Sequence, residues 1–128
     1  MPQITFKGTV FSGNGEGQKF IGLPWVKRQI QEKLGFIPYA GTLNICLTKE
    51  SALQKDMLEK ARKYEISPEK GFCIGILIEA RIEGLDCGII QPKVPGYPQQ
   101  VLEVVATWNL RERLKLVDDS EVCVSVTV

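Results

Sequence analysis

The chain has 128 residues, 44% of them hydrophobic and 24% charged, and a formal net charge of +1. A chain of this length forms one domain with a real core. Its composition is neither that of a disordered segment nor that of a membrane protein. The near-neutral charge argues against the strongly basic surface of a non-specific nucleic-acid binder.

The sequence contains no histidine, which excludes Ser-His-Asp and Cys-His catalysis and histidine-ligated zinc. Any metal would therefore be held by oxygen ligands, which suits Mg²⁺. Cys46, Cys73, Cys87 and Cys123 form no Cys-x-x-Cys pair and lie within or beside apolar runs. We expect them to pack as free, small hydrophobic residues, as in a reducing cytoplasm. No signal pattern appears, and no apolar stretch approaches the ~18 residues of a membrane span.

The chain opens with a strand, because Ile4, Phe6 and Val10 alternate with polar residues. Residues 12–17, Ser-Gly-Asn-Gly-Glu-Gly, follow as a loop that is too rich in glycine for regular structure. A helix is then predicted from Pro24 to a C-terminal cap at Gly35.

The next segment predicts a strand and a second helix. Alternation over residues 42–47 places Leu43, Ile45 and Leu47 on a buried face. Ser51 and Gln54 resemble a capping box. A helix should follow, because apolar residues recur at helical spacing at Leu53, Met57, Ala61 and Tyr64.

The second half of the chain is mostly β. Alternation from Phe72 to Ile82 is the longest strand signal, and residues 83–86 should turn the chain into a strand at 87–90. Prolines at 92, 95 and 98 indicate an irregular loop. Further strands are predicted at 101–106 and 122–128, with a short helix at 110–114. About six strands with two early helices indicate a mainly β (α+β) fold, a compact barrel with helical insertions.

Three segments could carry chemistry, and the first is the glycine loop. Gly13, Gly15 and Gly17 leave backbone N–H groups free to converge on phosphates. The loop lacks the Lys-Ser/Thr end of a P-loop. A simple long hairpin connection therefore remains the alternative.

The second segment is Thr42 and Asn44, which project from the same face of a predicted strand. Two neutral oxygens, with phosphates and waters, would make a reasonable shell for Mg²⁺. The alternative is a solvated polar face.

The third segment surrounds Glu103, a carboxylate on the otherwise apolar run 101–106, which must be exposed or partnered. Arg111 could pair with a carboxylate or a phosphate. Its alternative is a solvated helix face shared with Arg113 and Lys115.

Taken together, these segments resemble the archaeal CTP-dependent riboflavin kinase family in order and spacing over nearly the whole chain. The resemblance rests on the residue runs 13–17 (Gly-Asn-Gly-Glu-Gly), 34–45 (with Gly41-Thr42-Leu43-Asn44), 97–98 (Tyr-Pro), 102–103 (Leu-Glu) and 110–112 (Leu-Arg-Glu). It implies a cradle-loop barrel, a single kinase domain over residues 1–128, and transfer of the γ-phosphoryl of CTP to the ribityl 5′-hydroxyl of riboflavin to give FMN and CDP.

The resemblance also implies roles by position. Thr42 and Asn44 would bind Mg²⁺, while Pro95 and Glu103 would contact the flavin. Glu103 is also the candidate catalytic residue, which could orient the attacking hydroxyl. The nucleotide would be held by Gly13, Asn14, Gly15, Glu16, Gly17, Gln18, Trp108, Asn109, Leu110 and Arg111.

The sequence departs from the family pattern at three places. Pro95 stands where a hydroxyl residue is expected, which removes a side-chain hydrogen bond to the flavin. Thr107 stands where proline is usual. Asp118-Asp119-Ser120 replaces an Asp-Gly-Asp turn.

Two other functions stay open at this point. One is a non-catalytic flavin- or nucleotide-binding domain, which Pro95 favours. The other is a DNA-binding regulatory barrel, because related folds serve that purpose and fold alone does not decide function. For a kinase, we expect riboflavin and CTP as small-molecule partners, no nucleic acid or membrane partner, and a cytoplasmic location. The sequence leaves the oligomeric state open and is compatible with a monomer.

Overall fold

The framework of the protein is a closed antiparallel barrel of six strands, seen in a computed structural model that describes residues 2–69, 71 and 73–128. Neighbouring strands follow the order β4-β5-β6-β2-β1-β7, and pairing of β7 with β4 closes the barrel. A seventh strand, β3, pairs with the first half of β4, on the same edge that pairs with β7 further along. The strands are β1 (Gln3–Phe11), β2 (Leu43–Leu47), β3 (Lys63–Ile66), β4 (Gly75–Ile82), β5 (Leu85–Pro92), β6 (Val101–Val105) and β7 (Glu121–Thr127).

In the described part of the chain, four helices and one 3-10 helix lie between the strands. Helices α1 (Glu16–Ile21) and α2 (Pro24–Leu34) both lie between β1 and β2. Helix α3 (Lys49–Gln54) continues into the 3-10 helix Lys55–Lys60, and α4 (Leu110–Arg113) precedes β7. No helix in the described ranges is long and apolar enough to cross a membrane.

The barrel interior is filled by alternate residues of its strands, as a half-buried sheet requires. Phe6, Ile45, Ile82, Leu102 and Val124 are among the least exposed of these residues. Fully burying such a side chain stabilises the fold by roughly 1.5–3 kcal/mol relative to leaving it exposed.

A second core lies outside the barrel, where α1 and α2 pack against the sheet. It unites Ile21, Val26 and Ile30 of the helices with Leu77 of β4 and Ile90 of β5. Strand β4 is therefore buried on both faces, since Ile78 belongs to the barrel core while Leu77 belongs to the outer core.

The predicted fold class is confirmed, and all six predicted strands are present. Phe72, the first residue of the predicted strand at 72–82, lies outside the described residues. The helix from Pro24 is confirmed, and Gly35 caps it with φ +80°. The predicted turn is shorter than expected, because Glu83 and Gly84 alone form the loop, both with positive φ, as in a two-residue type I′ hairpin.

Three local predictions were wrong. The glycine-rich segment is not a loop throughout, because α1 begins at Glu16 after Gly15, which has φ +86°. Thr48, not Ser51, caps α3, and its hydroxyl accepts a hydrogen bond from the Ser51 N–H at 3.2 Å. No helix continues to Tyr64, which instead lies in β3.

The expected burial of the cysteines is also only partly right. Cys87 is buried in the barrel core, and burial raises the pKa of its thiol to about 12. Cys123 is half-buried, whereas Cys46 and Cys73 are exposed. Cys46 alternates with the buried residues Ile45 and Leu47, so its side chain faces outward. All four are free thiols.

Candidate functional site

A cavity of about 810 Å³ opens at one end of the barrel, within the range of roughly 300–1,000 Å³ usual for small-molecule sites. Each residue predicted to bind the nucleotide or the metal lines this cavity, as does Glu103. These residues come from four separate segments: the glycine loop with the start of α1, the start of β2, strand β6, and the segment leading into α4.

The glycine segment packs closely on Thr42 and Asn44. A Cβ at Gly17 would collide with the Thr42 hydroxyl, and a Cβ at Gly13 would collide with the Asn44 side-chain amide. Gly15 differs, because a Cβ there would meet no atom within 4 Å, but its φ of +86° disfavours other residues. Glycine thus lets the segment approach Thr42 and Asn44 at two positions without displacing their side chains, and it suits the backbone conformation at the third.

Thr42, Asn44 and Glu103 form one polar cluster. Asn44 and Glu103 are directly opposite each other in the pairing of β2 with β6. The Thr42 hydroxyl lies 3.3 Å from Asn44 Oδ1 and 3.3 Å from Glu103 Oε1. Three side-chain oxygens therefore meet at the cavity wall, a donor set that suits a hard divalent cation.

Glu103 is half-buried and is held from both sides. Its Oε1 faces the Thr42 hydroxyl, and its Oε2 accepts a short hydrogen bond of 2.5 Å from the Tyr97 hydroxyl. Burial raises the pKa of Tyr97 well above its usual value, and the hydrogen bond to Glu103 adds to the effect. The phenol therefore stays protonated at neutral pH and keeps donating to the carboxylate.

Arg111 joins the end of β1 to the turn before β7. Its Nη2 donates to Asp118 Oδ1 at 2.8 Å and to the Ser12 hydroxyl at 3.2 Å, while Ser12 Oγ donates to Asp118 at 2.9 Å. The hydrogen bonds from Arg111 and Ser12 lower the pKa of Asp118. The guanidinium has five N–H donors, so it can bind Asp118 and a phosphate at once.

Side-chain contacts of Trp108 and Asn109 hold the segment before α4 in place. Asn109 caps α4 by accepting a hydrogen bond from the Glu112 N–H at 3.3 Å, and its amide donates to the Tyr39 hydroxyl at 3.3 Å. The Arg113 guanidinium stands 5.0 Å from the centre of the Trp108 ring. Leu110 also packs into the barrel core.

A second, more apolar cavity of about 480 Å³ adjoins the first. The two cavities share Glu16, Gly17, Thr42 and Glu103. The second cavity is otherwise lined mainly by apolar side chains and backbone, including Phe20, Leu23, Cys73, Ile90 and Pro92. Glu103 and Thr42 thus stand between a polar compartment and an apolar one.

Pro95 is not among the residues that line either cavity. It is exposed on the loop between β5 and β6, next to Gly96, whose φ is +79°. Its predicted contact with a flavin stays a prediction.

Comparison with known proteins agrees with the resemblance. A family model named for CTP-dependent riboflavin kinase, and described as a domain of unknown function (DUF120), matches residues 10–126. The chain belongs to this family.

Curated relatives of this family member include proteins named riboflavin kinase. That of Archaeoglobus fulgidus is 38% identical over 127 residues, and that of Methanosarcina mazei is 35% identical over 123 residues. These matches cover 96% and 93% of the chain but only 54% and 55% of the relatives, so the chain spans about half their length. The riboflavin kinase of Ignicoccus hospitalis is 36% identical over 96% of the chain and 71% of the relative.

Two departures from the family pattern have a visible structural outcome. Asp119 adopts φ +73° where glycine is usual, so this aspartate accepts a left-handed conformation. Thr107, where proline is usual, donates its hydroxyl to the Ile37 carbonyl at 3.0 Å and ties two loops together.

Sequence reasoning did not assign site roles to Ser12, Tyr39 or Tyr97, which all line the larger cavity. Tyr97 was part of the matched motif, and that was the available signal for it. Ser12 accepts a hydrogen bond from Arg111, about 100 positions away along the chain, and Tyr39 accepts one from Asn109, about 70 positions away. No local sequence pattern predicts such contacts.

Proposed function

We propose that this chain is a CTP-dependent riboflavin kinase, which transfers the γ-phosphoryl of CTP to the ribityl 5′-hydroxyl of riboflavin and yields FMN and CDP. The observation that carries the proposal is the meeting, in one cavity, of the glycine segment, Thr42 with Asn44, and Glu103. Membership of the family and the names of the relatives support it. Residues 1–128 would act as a single kinase domain.

The polar cavity would hold CTP. Backbone N–H groups of residues 13–18 would face the phosphates, because the glycines allow the backbone to approach closely. Arg111 would add positive charge, since among the described residues that line this cavity the other charged side chains are Glu16 and Glu103. Residues 108–111 would close the nucleotide pocket from the opposite side.

Thr42 and Asn44 fit the role of Mg²⁺ ligands. Their side-chain oxygens are 3.3 Å apart at the cavity wall, beneath the glycine segment that would hold the phosphates. Two neutral protein oxygens leave room for phosphate oxygens and waters, which Mg²⁺ usually keeps in its shell. When bound, Mg²⁺ would neutralise charge on the phosphates during transfer.

The apolar cavity fits the isoalloxazine ring of riboflavin. Phe20, Leu23, Ile90 and Pro92 offer apolar surface to a flat aromatic system. Because Glu103 and Thr42 line both cavities, the polar ribityl chain would pass beside Glu103 toward the phosphates. Pro95 lies outside both cavities on an exposed loop, so it would contact only a part of the flavin that extends beyond the apolar cavity.

Phosphoryl transfer demands positioning and charge neutralisation more than covalent chemistry. The 5′-hydroxyl oxygen would form the new bond to the γ-phosphorus as the bond to the β–γ bridging oxygen breaks and CDP leaves. Glu103 would anchor the flavin by accepting hydrogen bonds, and it is the candidate to orient the hydroxyl or receive its proton. Tyr97 and Thr42 already fix both of its oxygens, which favours anchoring.

The free thiols agree with a reducing compartment, and we propose the cytoplasm as the location.

The test of function is chromatographic. Purified protein is incubated with riboflavin, Mg²⁺ and either CTP or ATP, and FMN is measured. FMN that forms faster with CTP than with ATP is the expected result. If the protein binds riboflavin and CTP but forms no FMN, it is a non-catalytic binding domain.

A further inference from the structure

Lys55 is a buried cation directly behind the cavity wall. It is the first residue of the 3-10 helix, and only 7% of its surface is exposed. Lysine is almost never buried to this extent without partners. Lys55 is not among the lining residues of either cavity, so its burial calls for an explanation other than direct contact with a ligand.

The partners of Lys55 belong to the turn that leads into β6. Its ammonium donates to the carbonyl of Val101 at 2.6 Å and to that of Pro98 at 3.4 Å. It also stands 5.0 Å from the centre of the Tyr97 ring, within the range of a cation–π contact. One ammonium thus fixes both ends of the turn and the aromatic side chain beside it.

Tyr97 links Lys55 to the Glu103 carboxylate in the cavity. Its hydroxyl donates to Glu103 Oε2, and Glu103 Oε1 lies 3.3 Å from the Thr42 hydroxyl. A cation at the ring draws electron density from the phenol, which makes its O–H a stronger hydrogen-bond donor. Lys55, Tyr97 and Glu103 therefore form a connected series from behind the wall into the cavity.

The charges of Lys55 and Glu103 are opposite and interact favourably. Burial lowers the pKa of the Lys55 ammonium, and the nearby negative charge of Glu103 opposes that change. The buried cation and the half-buried carboxylate thus stabilise each other across the Tyr97 ring, in surroundings where each would be costly alone.

We propose that Lys55 is a positioning residue for flavin recognition: it holds the Tyr97 ring, and Tyr97 holds the Glu103 carboxylate toward the riboflavin hydroxyls. The proposal rests on the riboflavin kinase function proposed above. Although Lys55 lies outside both cavities, its loss should weaken the binding of riboflavin and not that of CTP. CTP binding, which would depend on the glycine segment and residues 108–111, should not depend on Lys55.

The test is Lys55→Met, which keeps the length and apolar stem of the side chain and removes the charge. Calorimetry or flavin fluorescence should show riboflavin affinity falling about tenfold, because Tyr97 and Glu103 would no longer be held in place and coupling of this size is usual between residues in one such network. CTP affinity and kcat at saturating riboflavin should change less than about twofold. Lys60→Met, at the exposed end of the same 3-10 helix, is the matched control and should bind both substrates normally.

Gln99→Ala separates positioning from mere support of the turn. Gln99 ties the same turn to α3 through the Ala52 carbonyl at 3.1 Å, but no hydrogen bond of the described residues joins it to Tyr97 or Glu103. It should therefore leave riboflavin affinity nearly unchanged. In a Tyr97→Phe background, Lys55→Met should cost much less riboflavin affinity than in the wild type, because the hydroxyl link to Glu103 is already absent.

Several outcomes would overturn the proposal. These are unchanged riboflavin affinity in Lys55→Met, an equal loss in Gln99→Ala, or an additive loss with Tyr97→Phe. If Lys55→Met does not fold, Tyr97→Leu carries the test, and unchanged riboflavin affinity in that variant overturns the proposal. Failure of the wild type to bind riboflavin is a different result, since it would refute the proposed function itself.

Discussion

At the scale of single residues, the glycines of the site differ in what they require. Gly13 and Gly17 provide space, because a Cβ at either would strike and displace the side chain of Asn44 or Thr42. Gly15 is needed for its backbone conformation, with φ +86°. The spacing of three alternate glycines was compatible with a phosphate-holding segment or a simple hairpin connection, and the sequence could not distinguish the two structural roles of these glycines.

Gly15→Ala should raise the KM for CTP by more than its effect on thermal stability explains. The alanine places about 1–2 kcal/mol of strain on a left-handed residue, and relief of this strain would shift the N–H groups that face the phosphates. Gly35→Ala is the matched control, because Gly35 has φ +80°, equally open surroundings and no place in the cavity lining. Both variants should lose similar stability, and only Gly15→Ala should lose CTP affinity. Normal CTP affinity in Gly15→Ala would make the segment a simple connection.

Glu103→Gln should weaken riboflavin binding with little change in kcat. Glutamine has one carbonyl oxygen in place of two carboxylate oxygens, so it cannot accept from Tyr97 and Thr42 in the same way. Loss of such binding raises KM and leaves kcat nearly unchanged. Calorimetric titration of riboflavin measures the effect, with Glu65→Gln as control because Glu65 is exposed on β3. If kcat instead falls by ~10²–10⁴-fold, Glu103 acts as a general base and not as an anchor.

At the scale of elements, the strands could be predicted and several connections could not. Strict alternation in β1, β2 and β7 reflects one face in the barrel core and one in solvent. The apolar spacing of Leu53, Met57 and Tyr64 suggested a long helix, but Leu53 is 72% exposed and Met57 is 39% exposed. The chain turns after the 3-10 helix because residues 63–66 pair with the edge of β4. That pairing is a long-range interaction with no local signature.

Helix α1 was missed for a related reason. Gly17 disfavours a helix, yet Ile21 is fully buried in the outer core against β4 and β5, and this packing outweighs the local preference. Most helical stability in proteins comes from such tertiary packing and not from propensity.

The contact between Arg111 and Asp118 should make stability depend on pH in one direction. The pKa of Asp118 is lowered in the folded protein from its usual 3.8. The stabilisation is therefore fully present above that value and is lost as the pH falls through the folded-state pKa. Asp118→Asn should lower the melting temperature at about pH 6, and the difference from wild type should shrink toward about pH 2. A difference that stays constant over this range would mean that the charge of Asp118 contributes nothing.

At the scale of the whole molecule, the site is assembled by the order of the strands in the barrel. Strand β2 lies between β1 and β6, which brings Asn44 opposite Glu103 and places both beneath the segment that follows β1. The motif residues could be predicted because they form recognisable runs in the sequence. Their supports could not, since Lys55 reaches Tyr97 only through packing of the 3-10 helix on a turn more than 40 positions further along the chain.

The most direct measurement follows the phosphoryl group itself. CTP labelled at the γ-phosphorus is incubated with the protein, riboflavin and Mg²⁺, and the label is traced in FMN. The double variant Thr42→Ala/Asn44→Ala should remain folded and transfer no label, because it lacks the proposed metal ligands. Thr9→Ala, on neighbouring β1, should behave as wild type. We predict one labelled phosphoryl in FMN for each CDP formed by the wild-type chain. Absence of label in FMN, or wild-type transfer by the double variant, would contradict the account.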